Sequence, residues 1–165
     1  MTYYADLTPY AYDRDNGDPR ASGTWQGLKL LNVGWLHRGK AYAKSAPLPG
    51  LVEALTNMTR THRAQQTRGF HLCPWCTSPL SARRLEVPRG SAEIRVKGDG
   101  VAYAAPELIA HYVQAHDYQP PTDFVHAVLS SGQASGAGQG CPSPRPHTLT
   151  DIMPTPDAAL PGPIA

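Results

Sequence analysis

The chain of 165 residues contains few cysteines and no long apolar run. Three cysteines cannot build a network of disulfides, so a reducing, cytoplasmic setting is expected. No stretch approaches the ~18 consecutive apolar residues that a transmembrane helix needs, which predicts no membrane partner. The N-terminus lacks a basic region followed by an apolar one, and it therefore predicts no secretory leader.

Proline and glycine are unevenly distributed along the chain. Of 17 prolines and 15 glycines, many lie after residue 130, where apolar side chains are too sparse to offset the entropy of ordering the chain. The composition therefore predicts one folded domain over residues 1–130, followed by a disordered Pro/Gly/Ala-rich tail over residues 131–165.

Hydrophobic periodicity in the first 130 residues predicts a small α+β domain. Residues 91–104 alternate in polarity around Gly98-Asp99-Gly100, which is typical of a β-hairpin. A further strand is expected at about 28–36, and helices at about 49–62, 106–117 and 122–130. We expect the hairpin and the strand to form a short antiparallel sheet with the three helices packed on one face.

A metal site is indicated by a Cys-Pro-Trp-Cys motif and a pair of histidines. A knuckle turn directs the thiolates of Cys73 and Cys76 to the same side, and His111 and His116 lie on a predicted helix. Two thiolates and two imidazoles suit a tetrahedral zinc ion. The order of knuckle, hairpin and His-bearing helix is that of a zinc finger, and a structural Zn²⁺ would join the knuckle to the helix.

Two features depart from the short DNA-binding zinc finger. The 34 residues between Cys76 and His111 far exceed the usual spacing of about 12, and the predicted hairpin accounts for the excess. Five helical positions separate the histidines, so their side chains should diverge by about 140° on an ideal helix. The helix must therefore distort near His116.

Other interpretations of these residues remain open. The cysteines could form a redox pair, although Thr77-Ser78-Pro79 disfavours the helix that should follow such a motif. His71 could be an alternative zinc ligand, a group that orients a ligand, or an ordinary knuckle residue. Cys141 lies in the predicted tail and is expected to be an unused thiol.

The catalytic motifs that we sought are absent. The chain contains no His-x-Glu, no His-Glu-x-x-His and no Gly-x-Ser-x-Gly. Catalytic zinc also needs an open coordination position, which four protein ligands would close. The sequence thus gives no support for catalysis, and we expect a binding protein rather than an enzyme.

Basic residues are concentrated around the predicted knuckle. Residues 60–97 contain eight basic and two acidic residues, a net charge of +6, whereas the rest of the chain carries −4. This segment could bind nucleic acid through Arg83, Arg84 and Arg89, or it could be an ordinary solvated surface. The His-bearing helix has no Lys or Arg and suits major-groove insertion poorly. We therefore favour a protein-interaction or regulatory module, with nucleic-acid binding as the alternative.

Several motifs together resemble one family. The strings GFHLCPWC, GSAEIRV and YAAPELIAHYVQAHDYQPPTDFVHAV, preceded by YADLTPY and LNVGWL, cover residues 3–129. As a set they resemble uncharacterised bacterial proteins of actinobacterial type that share a domain of unknown function. The resemblance implies a soluble bacterial cytoplasmic protein with a zinc-type Cys and His site, and it implies no activity.

Overall fold

A computed structural model describes residues 2–12, 23–77 and 87–134 of the chain. Most of the predicted tail, together with Arg83, Arg84 and Cys141, lies outside these residues. The elements in chain order are β1 (Thr24–Trp25), β2 (Leu28–Asn32), α1 (Leu51–Thr61), β3 (Arg63–Ala64), β4 (His71–Leu72), β5 (Arg89–Gly90), β6 (Glu93–Lys97), β7 (Val101–Pro106), α2 (Ile109–His116) and α3 (Thr122–Ala134).

The predicted hairpin is the centre of a five-stranded sheet. Strands β6 and β7 pair antiparallel from Glu93↔Pro106 to Lys97↔Ala102, across the Gly98–Gly100 turn. The strand order is β1-β2-β7-β6-β3, and β4 and β5 form a separate two-stranded sheet. The three helices lie close to the ranges expected from the sequence, so the α+β class is confirmed.

The prediction of a purely antiparallel sheet was wrong. Strand β2 pairs parallel to β7, in the register Lys29↔Val101 to Asn32↔Ala104. A parallel pair needs a long crossover connection, and the chain between β2 and β7 contains α1 and four further strands. The sheet is therefore mixed. The periodicity of a strand carries no information on its direction, so the sequence could not reveal the parallel pair.

The sheet is covered on both faces by apolar side chains. One core joins the three helices to Ile94, Val96 and Tyr103. On the opposite face, Tyr10 and Trp35 pack with alternate residues of β2 and β7. The N-terminal segment therefore covers the face that the helices leave open, which the sequence interpretation did not anticipate.

Gly34, two residues after β2, allows the chain to pass close to the helix that carries the histidines. Its φ is 73°, and a Cβ built there would lie 3.0 Å from Ile109 Cδ1 and 3.3 Å from Tyr118 Cε1. Its N–H also donates to Asp6 Oδ1 at 2.8 Å. A side chain at this position would be strained by the backbone and crowded by two buried residues.

We expect Gly34→Ala to lower the free energy of unfolding by about 2–4 kcal/mol, through backbone strain and overpacking together. Gly39→Ala is the matched control, because Gly39 has a φ of 88° and no atom within 4 Å of a built Cβ. It should cost only about 1–2 kcal/mol, the strain of the left-handed conformation. Urea denaturation measures both values, and equal losses would show that the contact with Ile109 is unimportant.

Candidate metal centre

The first half of the site is a tight turn immediately after β4. Cys73 donates its backbone N–H to the Pro88 carbonyl at 2.9 Å, which anchors the turn to the chain leading into β5. The Cys73 carbonyl accepts hydrogen bonds from the backbone N–H and the hydroxyl of Thr77, at 3.1 and 2.7 Å. This closed turn brings the thiols of Cys73 and Cys76 to one side, as a knuckle requires.

The second half of the site is α2, with His111 in its first turn and His116 at its end. The helix closes directly after His116, where Asp117 has a left-handed φ of 55° and the N–H groups of Asp117 and Tyr118 both donate to the Tyr112 carbonyl. The distortion expected near His116 is thus a helix terminus. The two Nε2 atoms converge to 3.2 Å in spite of the angle between their positions on the helix.

The four predicted ligand atoms meet at one point. Cys73 Sγ lies 3.2 Å from His116 Nε2, and Cys76 Sγ lies 3.4 Å from His111 Nε2 and 3.5 Å from His116 Nε2. All four atoms lie within 4.8 Å of one another. Zinc bond lengths of about 2.0 Å to nitrogen and 2.3 Å to sulfur give a tetrahedron with edges of roughly 3.3–3.8 Å. The cluster is compatible with a metal site.

The surroundings of the cluster favour neutral imidazoles. Burial and the neighbouring His116 lower the pKa of His111, while burial and Lys44 lower the pKa of His116 against an opposing effect of Asp117. A neutral imidazole is the form that binds a metal. Burial, together with the Cys73 thiol, raises the pKa of Cys76, and a bound cation would oppose that effect by stabilising the thiolate.

An aromatic group that the sequence interpretation missed fixes the orientation of His116. The Trp75 ring lies 5.1 Å from the His116 imidazole and makes edge contacts with Tyr42 and Tyr112, at 5.6 and 5.7 Å between ring centroids. Tyr42 donates its hydroxyl to the His116 carbonyl at 3.2 Å. Trp75 could have been suspected from its place between the two cysteines, but no sequence signal connects Tyr42 to the site.

The other predicted site residues lie apart from the cluster. His71 is in β4, opposite Gly90, and its side chain lines a narrow crevice with Trp35, Glu93 and Glu107. Burial lowers the pKa of His71. Arg89 is exposed in β5, and Arg83 and Arg84 lie outside the described residues. Within the described ranges, every helix is too short or too polar to cross a membrane.

The four residues of the cluster fall within a region that matches a protein family. No curated protein and no solved structure is significantly similar to the chain. A family model described as "Domain of unknown function (DUF7919)" matches residues 2–129. The match includes both cysteines and both histidines of the cluster and ends within α3. Because it spans most of the sequence, the chain belongs to this family of domains of unknown function, DUF7919.

Proposed function

We propose that Cys73, Cys76, His111 and His116 bind one structural Zn²⁺ ion and that the chain is a zinc-stabilised binding module. The observation that carries this proposal is the set of distances among the four ligand atoms, 3.2–3.5 Å for the four contacts given above. Two sulfur and two nitrogen ligands are the set that zinc prefers over the harder cations.

A structural role is supported by the closed ligand set. Four protein side chains fill a tetrahedral shell, so no position remains for a water molecule or a substrate. Among the described residues, no carboxylate joins the cluster as a base for catalysis. The ion would connect the knuckle at residues 73–77 directly to α2, although strands β5 to β7 separate the two in the sequence. Such a connection stabilises a small domain because the free energy of metal binding contributes to folding.

Native mass spectrometry tests the ligand assignment. The purified chain should carry one zinc ion, and His111→Ala should lose it, because three ligands bind far more weakly than four. His71→Ala is the matched control, since this histidine lies next to the knuckle but outside the cluster, and its zinc content should equal that of the wild type. Retention of zinc by His111→Ala, or its loss from His71→Ala, would contradict the assignment.

For the partner we propose another protein, with the chain acting as an interaction or regulatory module in a bacterial cytoplasm. Helix α2 has no Lys or Arg to place against phosphates, and the net charge of the whole chain is only +2. A protein interface depends on buried apolar area and is comparatively insensitive to salt. A partner complex that persists as ionic strength rises would support this proposal, and steep weakening would oppose it.

Nucleic-acid binding through residues 60–97 is the second candidate, and the distribution of exposed charge supports it. In the described part of this segment, the acidic side chain is Glu93, which is 1% exposed and forms an ion pair with Arg95 at 2.8 Å. Arg60, Arg68, Arg89 and Lys97 are exposed. The surface charge of these described residues is therefore positive, as phosphate binding requires.

A further inference from the structure

An exposed apolar face lies beside the metal centre on β4 and β5. Phe70 and Leu72 alternate with His71, whose side chain lines the crevice on the other side. Phe70 is 63% exposed and Leu72 is 38% exposed, so two neighbouring apolar side chains lie at the surface. The Arg89 guanidinium lies 4.9 Å from the centre of the Phe70 ring. We call Phe70, Leu72 and Arg89 the stacking face.

The stacking face is held in place by two sets of backbone contacts. Strands β4 and β5 pair in the register His71↔Gly90 and Leu72↔Arg89, and Cys73 continues the pairing through its hydrogen bond to Pro88. Gly90 has no room for a side chain, because a Cβ there would lie 3.0 Å from Glu107 Cβ. The face is therefore fixed between the knuckle and the main sheet, so little conformational entropy would be lost when a ligand binds.

In the described part of the chain, the exposed charges next to the stacking face are positive. Arg68 is exposed two residues before Phe70. Neither Arg68 nor Arg89 forms an ion pair within the described part of the chain. The neighbouring carboxylate of Glu107 accepts a hydrogen bond from the Ser91 N–H at 2.9 Å and lies 3.5 Å from Arg63. Both arginines thus remain available to an anionic ligand.

We infer that the stacking face binds single-stranded nucleic acid, an inference that builds on the second candidate function above. An exposed aromatic ring among arginines is the arrangement by which proteins bind unpaired bases, with the ring or a guanidinium plane against the base and the charges against the phosphates. Here the Arg89 guanidinium already lies over the Phe70 ring, 4.9 Å from its centre, and a base can add to this pair. Arg68 and Arg89 would contact the phosphates. A duplex hides the faces of its bases and cannot use this stack.

An acidic protein segment would satisfy the positive charge but not the stack. Acidic peptides need cations and an apolar contact, and they have no need of a guanidinium placed over an aromatic ring. The ring and guanidinium pair matches a planar π-system that carries negative charge nearby, which describes a nucleotide. The two ligands are therefore separated by comparing an oligonucleotide with an acidic peptide as probes of the same face.

The test uses the full-length, zinc-loaded chain and a fluorescein-labelled oligothymidylate of about 15 nucleotides at ~50 mM salt, with binding followed by fluorescence anisotropy. The wild type should bind the single strand more tightly than a duplex of equal length. Phe70→Ala should weaken binding about 10-fold or more, whereas Phe70→Trp, which keeps an aromatic ring, should bind as tightly as the wild type. Arg89→Ala should also make the log–log salt dependence shallower by about 0.7.

Matched controls keep the result interpretable. Leu48 is 53% exposed and lines a different groove, beside Leu51 and Val125, so Leu48→Ala should bind the oligonucleotide as the wild type does. Arg38→Ala controls for the loss of one exposed positive charge outside residues 60–97. Native mass spectrometry of each variant should show unchanged zinc content. A wild type without zinc that still binds through Phe70 would overturn the zinc proposal and leave this inference standing.

Three outcomes would overturn the inference. The first is absence of wild-type binding to the single strand at ~50 mM salt, where electrostatic contacts are strongest. The second is equal binding by Phe70→Ala and the wild type. The third is binding of a synthetic peptide of alternating Glu and Leu, lost in Phe70→Ala, without any binding of the oligonucleotide. That last result would assign the face to an acidic protein.

Discussion

Replacing both Cys73 and Cys76 with serine is expected to abolish zinc binding and the cooperative unfolding transition of the domain. Structural zinc sites contribute about 10–16 kcal/mol of apparent binding free energy, whereas a whole domain is typically stable by only about 5–15 kcal/mol. The knuckle meets α2 at the four ligand atoms and through the Trp75 contacts around them. Loss of the ion should therefore separate the knuckle from α2 and weaken the packing of the core around Cys73.

Circular dichroism during heating and native mass spectrometry measure the two effects together. Cys141→Ser is the matched control, because it also replaces a thiol with a hydroxyl but lies in a part of the sequence that the proposed site does not use. This variant should keep one zinc ion and the wild-type melting temperature. Treatment of the wild type with a chelator should reproduce the double variant. A metal-free protein whose melting temperature is unchanged in chelator would end the structural-zinc proposal.

Removing the charge of Glu93 should produce the next largest loss of folding stability. Glu93 is 1% exposed; its carboxylate accepts hydrogen bonds from the Tyr10 hydroxyl and from Arg95 Nε, both at 2.8 Å. Burial acts to lower the pKa of Arg95, but the Glu93 carboxylate and, to a smaller extent, Tyr10 more than compensate, and the pKa is raised. In Glu93→Gln the guanidinium stays charged and loses its ion pair with the Glu93 carboxylate. We expect a loss of about 3–5 kcal/mol in the free energy of unfolding.

A double-mutant cycle distinguishes this explanation from a packing effect. Glu93→Gln combined with Arg95→Met removes both charges, and it should be more stable than the sum of the single effects predicts, because no buried charge is left uncompensated. Glu53→Gln, at an exposed position in the first turn of α1, is the matched control and should change stability by less than about 1 kcal/mol. Additive effects of Glu93→Gln and Arg95→Met, or a cost for Glu93→Gln no greater than that control, would contradict the proposed coupling.

The candidate site was largely predictable from the sequence because its signals are local. The two cysteines are three positions apart, and the two histidines share one short helix, so each pair is fixed by a single element. The order of knuckle, hairpin and helix then leaves few ways to arrange the pairs. The hairpin itself could be recognised because Ile94 and Val96 alternate with polar residues before a glycine turn, and Val101 and Tyr103 continue the pattern after it.

The features that escaped prediction depend on contacts between residues far apart in the chain. Asp6 accepts hydrogen bonds from the Gly34 N–H and the Tyr118 hydroxyl, both at 2.8 Å, and so ties the N-terminus to the end of α2. No periodicity encodes such a contact. The same applies to Trp35, whose Nε1 donates to the Ala104 carbonyl at 3.0 Å, and to the direction of β2.

The parallel pairing of β2 with β7 has a consequence for the order in which the chain folds. The paired residues are 72 positions apart, as in Lys29↔Val101, so β2 must wait until β7 has been synthesised and the long intervening loop has closed. Once β7 has been synthesised, the β6–β7 hairpin needs only a short turn, so it can form before the long loop between β2 and β7 has closed. During synthesis from the N-terminus, β2 and the aromatic side chains beside it therefore stay exposed until the hairpin and α2 have emerged. The N-terminal segment, although made first, is among the last parts of the sheet to reach its place.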